Sequence, residues 1–157
     1  ALTRVEAALT AGGSYSPALG ELEATGLIEI PPDLAANAGE GVPTLTALIE
    51  SFPEAARAAL AATRAQDATS GGVDIGAFLT RQLGVRSVTP REGDDPDAIL
   101  SRAEAALKAG DVPTALGEVD TLPDAAKSQM AVWISQAQTR QTALDAAEAM
   151  SQSLTAN

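Results

Sequence analysis

The sequence predicts an all-α fold, in which helical hairpins pack into a bundle with a long C-terminal helix. Alanine, the best helix former, occupies 34 of the 157 positions. Only four residues are aromatic, so the core must be built from Leu, Ile, Val and Ala, which suits closely packed helices better than a β-sandwich. Apolar residues also recur at spacings of three and four, the pattern of a helix with one buried face.

Turn residues divide residues 1–69, the predicted N-terminal helical part, into four helices. Glycines end the first two helices, and proline or a capping hydroxyl begins the later ones. The expected ends are Gly12-Gly13 and Gly26, and the expected starts are Ser16-Pro17, Pro31-Pro32 and Thr44. Pro53 lies inside the apolar stripe of the fourth helix. We expect it to kink that helix, or to restart it after Phe52, because its ring opposes the preceding turn.

Two stretches that lie 98 residues apart are nearly identical. LTRVEAALTAG at 2–12 and LSRAEAALKAG at 100–110 agree at eight of eleven positions, and ALGELE at 18–23 is echoed by ALGEVD at 115–120. Each copy predicts an αα-hairpin, which is too small to bury its apolar stripe without another helix across it. Chance similarity between alanine-rich helices is the alternative. Either interpretation predicts a helical scaffold and no particular chemistry.

Residues 94–151 are predicted to form a second helical domain, and residues 152–157 a frayed tail. Asp95 before Pro96 fits an N-cap followed by proline at the first helical position. Further breaks are expected at Gly110-Asp111, Val112-Pro113 and Leu122-Pro123. From Ala126 onward the stripe predicts one long helix, with Trp133 on its apolar side.

Residues 70–93 are predicted to be a glycine hinge followed by a basic amphipathic helix. The stretch 75–91 carries a charge of +3, and the remainder of the chain carries −14. In one interpretation this helix lies on an anionic membrane. The predicted lipid-binding residues are then Ile75, Phe78, Leu79, Arg81, Leu83 and Arg86. In the other interpretation the helix docks its apolar face on the domain's own core, and a hinge at Gly71-Gly72 would allow both states.

Composition argues against most catalytic chemistry. The chain has no Cys and no His, which removes disulfides, zinc fingers, thiol nucleophiles and imidazole bases. We predict no catalytic residue, no cofactor and no metal. Asp94, Asp95 and Asp97 could hold a divalent cation, but helix capping explains the same residues. The net charge of −11 disfavours nucleic acid as a partner, because an acidic surface repels phosphate.

The sequence predicts no transmembrane helix within these 157 residues. No apolar run approaches the ~20 residues needed to cross a bilayer, and no signal peptide is visible. The chain begins with Ala1 inside a predicted helix. We therefore expect a fragment whose membrane anchor lies upstream.

The order of motifs in residues 94–150 resembles the C-terminal signature domain of the mitofilin family, in its alphaproteobacterial branch. The resembling motifs are Gly110-Asp111 at a helix end, Ala115-Leu116 in the next helix, the Leu122-Pro123 break, and Trp133, Ala137 and Arg140 in a long helix. The resemblance implies a membrane-organising protein. Mitofilins bend membranes and hold the narrow necks of cristae or of intracytoplasmic invaginations, and a lipid-binding amphipathic helix precedes their signature domain.

The function expected from this resemblance is a membrane-shaping and contact-site scaffold on the periplasmic side of a bacterial inner membrane. Its expected partners are an anionic membrane surface, further copies of itself and outer-membrane assembly proteins. Trp133 and Arg140 are the predicted partner-binding residues, with a core anchor as the alternative for Trp133. Three rivals stay open: a helical-repeat module that binds only proteins, a regulatory domain of tetrapyrrole synthesis, and an enzyme, which the missing His and Cys disfavour.

Overall fold

The computed structural model describes residues 1–69 and 92–156, and within these ranges the chain forms eight α-helices and no strand. The predicted all-α class is therefore confirmed. In chain order the helices are α1 (Leu2–Ala11), α2 (Ser16–Thr25), α3 (Pro32–Ala36), α4 (Leu45–Thr69), α5 (Pro96–Lys108), α6 (Val112–Asp120), α7 (Asp124–Gln129) and α8 (Ala131–Thr155).

The chain divides into two compact units, and the division does not follow the predicted one. The first unit combines Ala1–Glu50 with the chain from Ile134 onward, and the second is Ser51–Trp133. The sequence predicts parts at 1–69, 70–93 and 94–151 and a tail at 152–157. The difference arises because most of α8 packs with the N-terminal hairpin, a contact between distant stretches that helical periodicity cannot reveal.

The core of the first unit is aliphatic, with one buried tyrosine. It gathers one face each of α1, α2 and α3 together with the C-terminal part of α8. Its members include Val5, Leu9, Leu19, Leu22, Leu34, Ala143, Ala147 and Met150. The Tyr15 hydroxyl donates a hydrogen bond to the carbonyl oxygen of Leu34 at 2.9 Å, which satisfies the one polar atom of this buried ring.

The second unit contains the α5–α6 hairpin, which carries the second sequence echo. The apolar stripe predicted for α5 is buried at Ile99, Leu100, Ala103 and Leu107. The side chain of Asp95 accepts a hydrogen bond from the backbone N–H of Ala98 at 3.2 Å, which confirms the predicted N-cap.

The predicted N-cap of α4 is confirmed, because the Thr44 hydroxyl oxygen accepts a hydrogen bond from Ala47 N–H at 3.0 Å. Of the two alternatives expected at Pro53, the restart does not occur, because α4 is continuous through this residue. Two other local features differ from the sequence-based expectation. The long helix expected from Ala126 is interrupted at Met130, whose N–H bonds to the carbonyl of Lys127, three residues back. The α8 helix then continues to Thr155, where we had expected a frayed tail.

Candidate functional site

The two sequence echoes fold into hairpins with the same turn. In the first, the N–H of Gly13 donates to the carbonyl of Ala8 at 3.0 Å, and Gly12 is left-handed at φ +72°. In the second, the N–H of Asp111 donates to the carbonyl of Ala106 at 2.9 Å, and the glycine before it is left-handed at φ +84°. Both bonds span five residues around a left-handed glycine, the geometry of a Schellman helix end.

Each hairpin also carries the same ion pair between its two helices. In the first hairpin Arg4 of α1 pairs with Glu21 of α2. In the second, Arg102 of α5 pairs with Glu118 of α6, with Nη2 and Oε2 2.9 Å apart. These residues occupy equivalent positions in the two echoes. The shared turn and the shared ion pair favour genuine internal similarity over chance.

The second ion pair is the better fixed of the two. Arg102 also donates from Nε to Glu118 at 3.0 Å and from Nη1 to the carbonyl of Gly93 at 2.7 Å. The hydrogen bond to Glu118 raises the pKa of the Arg102 guanidinium. Sequence analysis did not single out these pairs, although the signal was present as an Arg and a Glu retained in both echoes.

Arg140, a predicted partner-binding residue, lies in the core of the first unit and is only 7% exposed. Its Nη1 atom donates to the carbonyl oxygens of Leu9 and Pro43, each at 3.0 Å. Burial lowers the pKa of this guanidinium from its ordinary value. These contacts give Arg140 an internal role, so a partner could reach it only if the residues that cover it moved.

Trp133, the other predicted partner-binding residue, is 2% exposed in the second unit. Its indole meets the ring of Phe52 edge to face, with the ring centroids 5.0 Å apart and the planes at 78°. This is a favourable geometry for an aromatic pair. The arrangement corresponds to the core-anchor interpretation, and partner contact through Trp133 stays a prediction.

The predicted lipid-binding residues lie outside the described residues. They are Ile75, Phe78, Leu79, Arg81, Leu83 and Arg86. Within 1–69 and 92–156, no helix is long and apolar enough to cross a bilayer. Over the same ranges, no group of three or more acidic side chains is arranged to hold a metal ion.

Comparison with protein-family models, with curated proteins and with solved structures finds no match to this chain.

Proposed function

We propose that this chain is a non-catalytic helical scaffold that organises membrane invaginations. The observation that carries the proposal is the duplicated hairpin, which presents the same turn and the same ion pair twice. Repeated helical hairpins stack on neighbouring helices and offer extended surfaces to other macromolecules, and they need no catalytic centre. Self-association and partner contact are the activities that such an architecture supports best.

Peripheral membrane binding is the second part of the proposal, and it rests on the distribution of charge. The stretch 75–91 contains three arginines and no carboxylate, while the rest of the chain is strongly acidic. Anionic lipid would attract this stretch and repel the remainder. Three arginines contribute only about 1 kcal/mol each near such a surface, so binding should be weak and sensitive to salt.

The resemblance to mitofilins supports the cellular part of the proposal. It suggests a position on the periplasmic side of a bacterial inner membrane, with an anchor supplied by sequence upstream. It also suggests outer-membrane assembly proteins as partners. The membrane to be shaped would then be an intracytoplasmic invagination with a narrow neck, similar to a crista junction.

Co-sedimentation with vesicles tests the lipid part directly. The parent chain should sediment with vesicles that contain phosphatidylglycerol and not with neutral vesicles. The triple variant Phe78→Glu, Arg81→Glu, Arg86→Glu should remain in the supernatant. A matched control, Leu27→Glu with Arg57→Glu and Arg64→Glu, changes the net charge equally at exposed positions outside the basic stretch, and it should sediment like the parent.

The control separates a local site from a general charge effect. If both triple variants lose binding, net charge alone explains the attraction, and the lipid site at 75–86 is rejected. If the parent itself ignores anionic vesicles, the alternative function stands: a helical-repeat module that binds proteins and no lipid. A pull-down from periplasmic extract would then identify the protein partner.

A further inference from the structure

The ion pair of the second hairpin also holds the segment that leads into α5. Arg102 contacts Glu118 through Nε and Nη2, and its Nη1 atom donates to the carbonyl oxygen of Gly93 at 2.7 Å. Two residues further on, the side chain of Asp95 caps the first turn of α5. The carboxylates of Asp94 and Asp95 also attract the guanidinium of Arg102. This ion pair therefore acts as a docking point for an extended, acidic segment.

The first hairpin carries the same ion pair without such a segment. Arg4 donates to Glu21 through Nη2, and its guanidinium has no other hydrogen-bond acceptor in the part of the chain that the structure describes. The side chains of Arg4 and Glu21 are 60% and 53% exposed, whereas those of Arg102 and Glu118 are 28% and 25% exposed. The surface of the first hairpin is therefore open where the equivalent surface of the second is partly covered.

The start of α1 lacks two features that the start of α5 has. The α5 helix begins at Pro96, four residues before Leu100, whereas α1 begins at Leu2, the equivalent of Leu100. The start of α1 has no side-chain cap and no acidic residue in its first turn. The cap of α5 is Asp95, and its first turn contains Asp97. Because the N–H groups at a helix start need acceptors and favour negative charge, a capping segment would also stabilise α1.

We infer that the Arg4 end of the first hairpin is a docking site for an acidic segment joined directly to α1. The Arg4 end consists of Arg4, Glu21 and the first turn of α1. The segment has the chemistry of residues 93–99, with a backbone carbonyl for the arginine followed by a carboxylate that caps the helix. Because Gly93 lies nine residues before Arg102, the carbonyl that meets Arg4 belongs to a residue nine positions before it. The inference rests on one part of the proposed function, the upstream chain that leads to an anchor.

Covalent attachment to α1 distinguishes this occupant from a separate partner. A helix cap and a contact to an exposed ion pair each contribute little on their own. The net charge of −11 would also repel an acidic peptide that is free in solution. A segment joined to α1 is held near the Arg4 end at an effective concentration of the order of millimolar. The contacts therefore favour a segment of the same chain.

A graft tests whether the Arg4 end accepts such a segment. The seven residues GDDPDAI, copied from 93–99, are placed before Leu2 in place of Ala1, which reproduces the nine-residue spacing between glycine and arginine. The grafted protein should melt about 2–4 °C above the parent, because the graft supplies a cap for α1 and an acceptor for Arg4. Circular dichroism measures the melting temperature. A flexible extension of glycine and serine of the same length is the control, and it should raise the melting temperature by less than about 1 °C.

A change of background isolates the contact with Arg4. In an Arg4→Met protein the same graft should give less than half of its gain, because the grafted carbonyl no longer meets a guanidinium. Arg64→Met, at an exposed position on α4, is the matched background, and the full gain should remain there. The inference is overturned if the graft gives no gain in the parent, if the glycine-serine extension gives a similar gain, or if the gains on the two backgrounds are equal.

The graft and the vesicle experiment fail in different ways. Co-sedimentation with vesicles uses the parent chain, which carries no graft. A graft without effect would reject the docking site alone if the parent still sediments with anionic vesicles. A graft that stabilises the chain through Arg4 would support the docking site, even if the parent ignores vesicles and the lipid part of the proposed function is rejected.

Discussion

The Nη1 atom of Arg140 lies 3.0 Å from the carbonyl oxygen of Leu9, although the two residues are 131 positions apart. Leu9 lies in the last turn of α1, where carbonyl groups have no partner within the helix. The Arg140 guanidinium donates a hydrogen bond to the Leu9 carbonyl and places a positive charge at the negative end of the helix. The same nitrogen bonds to Pro43, so one side chain of α8 ties two distant segments of the first unit.

Replacing Arg140 by methionine should destabilise the protein by about 2–3 kcal/mol. The substitution keeps much of the aliphatic stem, but it leaves the buried carbonyl of Leu9 and the part-buried carbonyl of Pro43 without a charged donor. Urea unfolding followed by circular dichroism measures the change. Arg57→Met on the exposed side of α4 is the control, and it should stay within about 0.5 kcal/mol of the parent. Equal losses for the two variants would mean that the contacts of Arg140 contribute nothing.

Local elements of this fold could be predicted from sequence because their signals are local. Gly12 and Gly26 end their helices in the left-handed conformation, and Thr44 and Asp95 cap theirs, as the sequence pattern indicated. The break at Met130 carries no glycine or proline, so neither propensity nor periodicity could reveal it. At this break the Met130 N–H donates to the carbonyl of Lys127, three residues back instead of four.

Contacts between residues that are distant in the chain could not be predicted from the sequence, for a different reason. Periodicity shows that Arg140 interrupts an apolar stripe, but it cannot show which carbonyls the guanidinium meets. The same limit applies to Asp33 and Gln138, which line one groove from elements 105 positions apart. The ion pairs of the hairpins were predictable in principle, because a repeated Arg and a repeated Glu stood at matching positions in both echoes.

Glycine-to-alanine substitutions should separate turn glycines from helical ones. Gly12 has φ +72°, and a Cβ atom there would lie 2.5 Å from Cγ2 of Thr44. Gly12→Ala should therefore lower the free energy of unfolding by about 1–2 kcal/mol or more. Gly20 and Gly117 occupy equivalent helical positions in the two hairpins, and added Cβ atoms there meet nothing within 4 Å. Each of those two should gain about 0.5–1 kcal/mol from alanine.

Urea midpoints of the three variants give the comparison. The helical pair acts as the control for the turn variant, because all three add one methyl group. Similar gains at Gly20 and Gly117 would agree with the structural equivalence of the hairpins. A stabilised Gly12→Ala protein would contradict the close approach between that turn and Thr44.

The single tryptophan should report on the core of the second unit. Because Trp133 is buried against Phe52, its emission in the folded protein should be blue-shifted and poorly quenched by acrylamide. Phe52→Leu should destabilise by about 1 kcal/mol through loss of the edge-to-face pair. Leu27→Ala, at an exposed position, is the control. Efficient quenching in the folded parent would instead reveal an indole that is open to solvent and free to meet a partner.

The N-cap of α6 should make stability depend on pH in the acid range. The side chain and the backbone N–H of Thr114 donate to Asp111 at 2.7 and 3.0 Å, and these hydrogen bonds lower the pKa of its carboxyl from the ordinary 3.8. The unfolded state therefore takes up the proton first as the pH falls. The stabilisation is fully present above pH 3.8 and is lost as the pH drops through the lower, folded value.

Asp111→Asn keeps a good capping side chain without the charge. Its free energy of unfolding should fall furthest below that of the parent near neutral pH, and the gap should narrow towards pH 2. Urea titrations of both proteins at several pH values measure this gap. Thr114→Val removes one of the two donors, so it should retain a smaller version of the same pH dependence. A gap that stays constant down to pH 2 would show that the Asp111 carboxylate gains nothing from the hydrogen bonds that it accepts.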